Sequence, residues 1–220
     1  MVGHLPLIIV AVCGNSRYLS SAIIEHIIAL RGDGGQASIV YFYFDFRDKE
    51  KQNARNLITS LLIQLSAFSD PCCDIIHGLY SSYGNGTRQP TNETLKNCLK
   101  EMLTVLAERP IFIVMDALDE CPDSGFPTAR EQVLVVLKDL VGLHLPNLRI
   151  CVTSRPEVDI KSILNQLTIY SISLHGESEQ LKGIADYVNN FVNSDTKMRE
   201  WPEEDKELVI KELSERADGM

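Results

Sequence analysis

The chain has 220 residues, 45% of them apolar and 23% charged, enough for one sizeable soluble domain with part of a second. Its net charge is −9 and it has no basic block, which argues against grip on a nucleic-acid backbone. The longest apolar stretch, Leu5 to Cys13 broken by Pro6, is too short to span a bilayer. From Gly176 onward 12 acids stand against 6 bases, net −6, leaving −3 for the first 175 residues.

The Leu5–Val12 run predicts a strand buried on both faces. As a signal-peptide core it would need a preceding Lys or Arg and a small-residue cleavage site, and has neither. Ile23, Ile24, Ile27 and Ile28 fall at helical spacing, closed by Gly32, Gly34 and Gly35. "ASIVYFYFDF" is a second strand by its β-branched and aromatic content. Leu57, Ile58, Leu61, Leu62 and Leu65 predict a helix ended near Pro71, and "GNGTRQPTNE" is a loop. Leu95, Cys98, Leu99, Met102, Leu103 and Leu106 form a helical stripe.

The strand Ile111–Met115 follows, stopping at Asp116. Val133, Leu134, Leu137, Leu140 and Val141 mark a helix, and "NLRICVTS" and "QLTIYSISL" read as strands. Two helices close the chain, at about 178–193 and 202–217, with Trp201-Pro202 as a start signal. Alternating strands and helices predict a parallel sheet wrapped on both faces. Such sheets bind ligands beyond the carboxyl ends of their strands. Asp116, Ser154-Arg155 and the Cys13-Gly14-Asn15 turn should therefore share one rim.

The six cysteines form no C-x-x-C and no histidine pair has ligand spacing, so zinc is not expected. They read as small buried hydrophobes of a reducing, cytoplasmic compartment. An acid ending an apolar strand is what phosphate-handling folds use to hold Mg²⁺. Asp119 or Glu120 would then polarise a water, or they merely begin a helix. Arg155 would sense a γ-phosphate, or it pairs with Glu157 or Asp159.

"IFIVMDALDECPD" resembles the Walker B segment of fungal NACHT-type signalling ATPases, the group that includes nephrocystin 3-like N-terminal domains. "LRICVTSRPEVDI" resembles their sensor 1 segment, and "VYFYFDFRDKEKQNARNLITSLLIQL" their second strand and its helix. "LSSAIIEHI" is similar to the helix after their phosphate loop, and "ELSERADGM" to the start of a lid motif. The resemblance runs from about Leu19 to Met220. It implies a three-layer P-loop NTPase-like α/β fold of the STAND class with sheet order 5-1-4-3-2. Residues 1–175 would form the nucleotide-binding domain and 176–220 the start of a truncated helical lid.

The resemblance further implies ATP with Mg²⁺ and a conformational switch in self-recognition or defence. By motif match Asp116 is the metal ligand, Asp119 and Glu120 the catalytic acids, and Arg155 the sensor. The family loop G-x-x-G-x-G-K-[ST] would fall on Gly14, Asn15, Ser16 and Arg17, where the chain reads "AVCGNSRYLSS". No lysine precedes Lys49. Such a lysine ~4 Å from a phosphate is worth ~4 kcal/mol at an effective dielectric near 20. Either the loop has decayed, or the first ~18 residues are a wrong start joined to a family sequence.

The expectation is a NACHT-like signalling or scaffold module, descended from an ATP switch but with impaired nucleotide binding, of NTPase ancestry without the loop lysine. The alternative is an active ATP/Mg²⁺ switch. Expected partners are other proteins and nucleotide, with no nucleic acid and no membrane. A redox domain fits poorly, since the first turn lacks G-x-G-x-x-G.

Overall fold

A computed structural model describes residues 8–13, 17–30, 37–167, 170–173, 188–194, 198 and 201–215. The chain forms two compact units, Met1–Val12 with Ser16–Ile172, and Cys13–Asn15 with Ser173–Met220.

The larger unit is built on a five-stranded sheet. Its strands are β1 (Ile8–Cys13), β2 (Ser38–Tyr43), β3 (Ile111–Asp116), β4 (Leu148–Ser154) and β5 (Tyr170–Ser173). Their order is β2-β3-β4-β1-β5, which is 5-1-4-3-2 counted from the opposite edge. β2 and β4 both run parallel to β3, with Tyr43 opposite Asp116 and Met115 opposite Val152. The carboxyl ends of these three strands therefore lie on one rim.

Period-two alternation assigns the two faces. Val40, Phe42, Ile111, Ile113, Met115, Leu148, Ile150 and Val152 join one core cluster. The helices α2 (Ala54–Ser66), α4 (Asn92–Val105) and α5 (Ala129–Val141) supply the other half of that cluster. Leu57, Ile58, Leu61, Leu65, Met102, Leu103 and Leu137 are all essentially fully buried there. Each such side chain contributes roughly 1.5–3 kcal/mol by leaving water. On the opposite face α1 (Arg17–Leu30) meets β3, with Ile23 and Ile27 beside Phe112 and Val114. These are three layers, and the fold is α/β as expected.

Side-chain caps fix the helix starts. Asn53, Thr91 and Thr128 each accept from a backbone N–H in the first turn of α2, α4 and α5. At Thr128 the side chain of Glu131 returns the bond, a complete capping box.

The sequence reading misses two helices, α3 (Asp70–Ser82) and α6 (Val158–Leu167). By sequence Pro71 signals a stop, yet it sits in the first turn, where its missing N–H costs nothing. Ser69 caps that turn by accepting from Cys72 N–H. β4 is followed by α6 (Val158–Leu167).

In the smaller unit, residues 188–194 are helical and α7 covers Glu203–Glu215. Leu208 and Leu213 of α7 are exposed. The expected helix over 178–187 and the glycines 32, 34 and 35 lie outside the described residues.

Candidate functional site

Asp116 ends β3 on the rim and is only 4% exposed. A buried carboxylate needs partners. Its Oδ1 accepts from the hydroxyl of Ser20 in α1, itself fully buried, and from Thr153 Oγ1 of β4 at 2.5 Å. Thr153 Oγ1 in turn accepts from Ala117 N–H at 2.9 Å. That bond holds Ala117 in the left-handed region, φ 56° and ψ 49°. An L-residue rarely adopts this conformation, and here it turns the chain sharply after the strand.

The turn delivers a short 3-10 segment, Leu118–Glu120. Leu118 is buried, so the two acids that follow it are thrown toward the rim. Asp119 and Glu120 therefore do not start the next helix, which begins only at Ala129.

Asp119 Oδ1 accepts from Arg155 N–H at 2.9 Å, and its Oδ2 lies 3.5 Å from Arg155 Nε. The pairing of Arg155 with Glu157 or Asp159, the structural alternative in the sequence, is replaced by this pair with Asp119. Parallel pairing of β3 with β4 brings the two strand ends together and places an acid and a cation side by side. Glu120 Oε2 accepts from Phe46 N–H at 3.2 Å, which ties the turn to the segment after β2.

A buried arginine holds this turn from beneath. Arg130 in α5 donates through Nη2 to Asp119 O at 2.7 Å and through Nε to Cys121 O at 3.0 Å. Its Nη1 lies 3.4 Å from Asp159 of α6 and 3.8 Å from Asp123. Phe46, Gln52, Asp119, Glu120, Arg130 and Arg155 line a polar cleft of about 370 Å³.

Burial pushes the Cys121 thiol up to about 11, opposed by nearby Arg130. Burial, reinforced by the charge of Asp116, pushes Cys151 up to about 11 as well. Neither is a nucleophile near neutral pH.

The structure thus brings together Asp119, Glu120 and Arg155 in one cleft, with Asp116 buried at the strand end that leads into their turn. Arg17 begins α1, while Gly14, Asn15 and Ser16 lie outside the described residues. Ser20, Thr153 and Arg130 were missed. Ser20 and Thr153 stand inside the quoted "LSSAIIEHI" and "LRICVTSRPEVDI", but no periodicity marks a hydroxyl aimed at a carboxylate 96 or 37 positions away. Arg130 looks like any exposed base in a helix's first turn.

The oxygens around Asp116 are hard donors of the kind Mg²⁺ takes. Among the described residues no group of three His, Cys, Asp or Glu could hold a metal by itself. An ion here would lean on one carboxylate, hydroxyls, water and phosphate, which is how Mg²⁺ is commonly held.

Among solved structures, Cdc6p from Pyrobaculum aerophilum matches with a TM-score of 0.50 at 12% identity, over 82% of this chain and 41% of that one. The Aeropyrum pernix ORC1 protein in complex with DNA gives 0.47 at 11% identity, over 95% of this chain and 53% of that one. The Walker-type ATPase paby2304 of Pyrococcus abyssi gives 0.43 at 14%, over 92% and 57%. This chain therefore spans about two fifths to just over half the length of those proteins. The first likeness shows the fold, a P-loop NTPase-like α/β domain. No curated protein matches the sequence. The family described as nephrocystin 3, N-terminal, matches residues 11–155, which hold the end of β1, Asp116, the Asp119–Glu120 turn and Arg155. On that match, across about two thirds of its length, the chain belongs to the nephrocystin 3 N-terminal family.

Proposed function

We propose that this NTPase-related domain is a NACHT-like signalling or scaffold module whose nucleotide grip is impaired. The observation that carries this reading is the state of Asp116. It is buried and already accepts from Ser20 and Thr153, and the sequence before Ser20's helix contains no lysine.

Asp116 would anchor Mg²⁺, with Asp119 and Glu120 as the acids near a γ-phosphate and Arg155 as its sensor. Bound Mg²⁺ would neutralise phosphate charge there. For Arg155 to reach a phosphate it must leave Asp119, so nucleotide competes with a bond already made. Without a loop lysine, nothing in the quoted turn but Arg17 offsets that loss.

The acidity of the chain supports protein rather than nucleic-acid partners. Among the described residues no helix is long and apolar enough to cross a membrane. We place the module in the cytoplasm on the five cysteines that are free among the described residues.

The test is calorimetric titration of ATP with and without Mg²⁺. The expected dissociation constant is high micromolar or weaker. A value below about 10 μM, roughly −7 kcal/mol, overturns the impaired reading. It would favour the second one, an active ATP/Mg²⁺ switch, which the shared rim position of Asp119 and Arg155 supports.

A further inference from the structure

The loop before α5 carries a feature that the nucleotide reading does not use. Phe126 is 97% exposed at its tip. A bare phenyl ring in water is costly, and this one is held out by a tied loop. Gly125, at φ +95°, bridges to Thr128, whose capping box with Glu131 starts α5. On the other side Arg130 N–H donates to Pro122 O at 3.0 Å. The exposed charges beside the ring are acidic, Asp123 and Glu131; Arg130 is buried and reaches the exposed Asp123 only at 3.8 Å.

A complementary cleft of about 260 Å³ lies among α2, α3 and α4. Leu62, Ile63, Ile76, Leu79, Tyr80 and Tyr83 form its walls. A cavity of roughly 150 Å³ accepts benzene, so a phenyl ring fits. No carboxylate is among its described lining residues, although the chain is at −9. It has two cations, Arg55 and Arg88. Arg55 donates to Pro90 O and Asn92 Oδ1, and Arg88 donates to Ser82 O and lies over the Tyr83 ring. These partners are uncharged, so both positive charges remain uncompensated by them. No residue of the Phe126 loop lines this cleft, and Pro127 lines a different one.

We infer that the Phe126 tip of one copy docks in the α2–α3–α4 cleft of a second copy. The ring enters the apolar cleft, and Asp123 and Glu131 meet Arg55 and Arg88. Tip and cleft are different surfaces, so the contact is head-to-tail. It stands apart from the nucleotide reading and does not require it.

The experiment is sedimentation equilibrium of the chain up to about 0.5 mM, the weak end for a specific contact. The wild type should show mass rising with concentration, and less so in high salt. Phe126→Ser should weaken association at least about tenfold, that is about 1.4 kcal/mol. The cleft double variant Ile63→Asp/Arg88→Glu should do the same. Both sets of side chains are exposed, and circular dichroism checks that each variant is folded. An equimolar mixture of the two variants keeps one intact tip and one intact cleft, so it should form a one-to-one dimer and nothing larger. A monomeric wild type overturns the inference. So does association indifferent to Phe126→Ser, or a mixture that fails to pair.

Discussion

Arg130→Met removes the guanidinium under the Asp119–Cys121 turn while keeping a long apolar stem. The side chain of Arg130 is 8% exposed. Its bonds to the carbonyls of Asp119 and Cys121, at 2.7 and 3.0 Å, are charge-assisted and worth roughly 1.5–3 kcal/mol each. The ion pairs at 3.4 and 3.8 Å reach carboxylates that are 46% and 74% exposed, so each adds only about 0–1 kcal/mol. The expected loss is about 3–5 kcal/mol, carried by carbonyls and not by ion pairs.

Urea unfolding followed by circular dichroism reads this directly. With a slope of roughly 2 kcal/mol/M, the midpoint should fall by about 1.5–2.5 M. Because the acceptors are uncharged carbonyls out of water, the loss should persist in high salt. Asp123→Asn and Asp159→Asn should each cost under about 1 kcal/mol. A loss below about 1 kcal/mol for Arg130→Met, or one that disappears in high salt, refutes this account of the turn.

Three further outcomes are expected. Replacing Asn15-Ser16-Arg17 by Gly-Lys-Ser should strengthen ATP binding by several kcal/mol, about the lysine contribution at an effective dielectric near 20, and Asp116→Ala should abolish the gain. Calorimetry reads it, and an unchanged affinity in a folded protein would mean that the family resemblance records ancestry only. Cys121 and Cys151, both near 11, should resist alkylation at pH 8, where about 0.1% of each is thiolate. Unfolded thiols ionise near 9 while these hold their protons to about 11, so stability is intact below pH 9 and falls as pH rises from about 9 to 11. Mass-spectrometric labelling and the alkaline unfolding midpoint check both statements.

The sequence by itself determined the layer pattern. The run Ile111–Met115 halted by Asp116, and the stripe from Leu95 to Leu106, are period signals, and period follows from backbone geometry alone. The same reasoning put Asp116, Asp119, Glu120 and Arg155 beyond strand ends, because parallel strands finish on one side. It failed at α3, where a proline can close one helix or open another, and only the Ser69 cap distinguishes the two. Only the tertiary structure decided who touches whom on the rim. That Arg155 pairs with Asp119 and not with Asp159 depends on the β3–β4 pairing and on the left-handed Ala117 turn. That Asp159 is instead beside Arg130 depends on how α5 packs against α6. That Ser20 meets Asp116 depends on how α1 seats against β3. Hydroxyls and arginines carry no period of their own, so their partners are fixed by the register and packing of elements far apart in the chain.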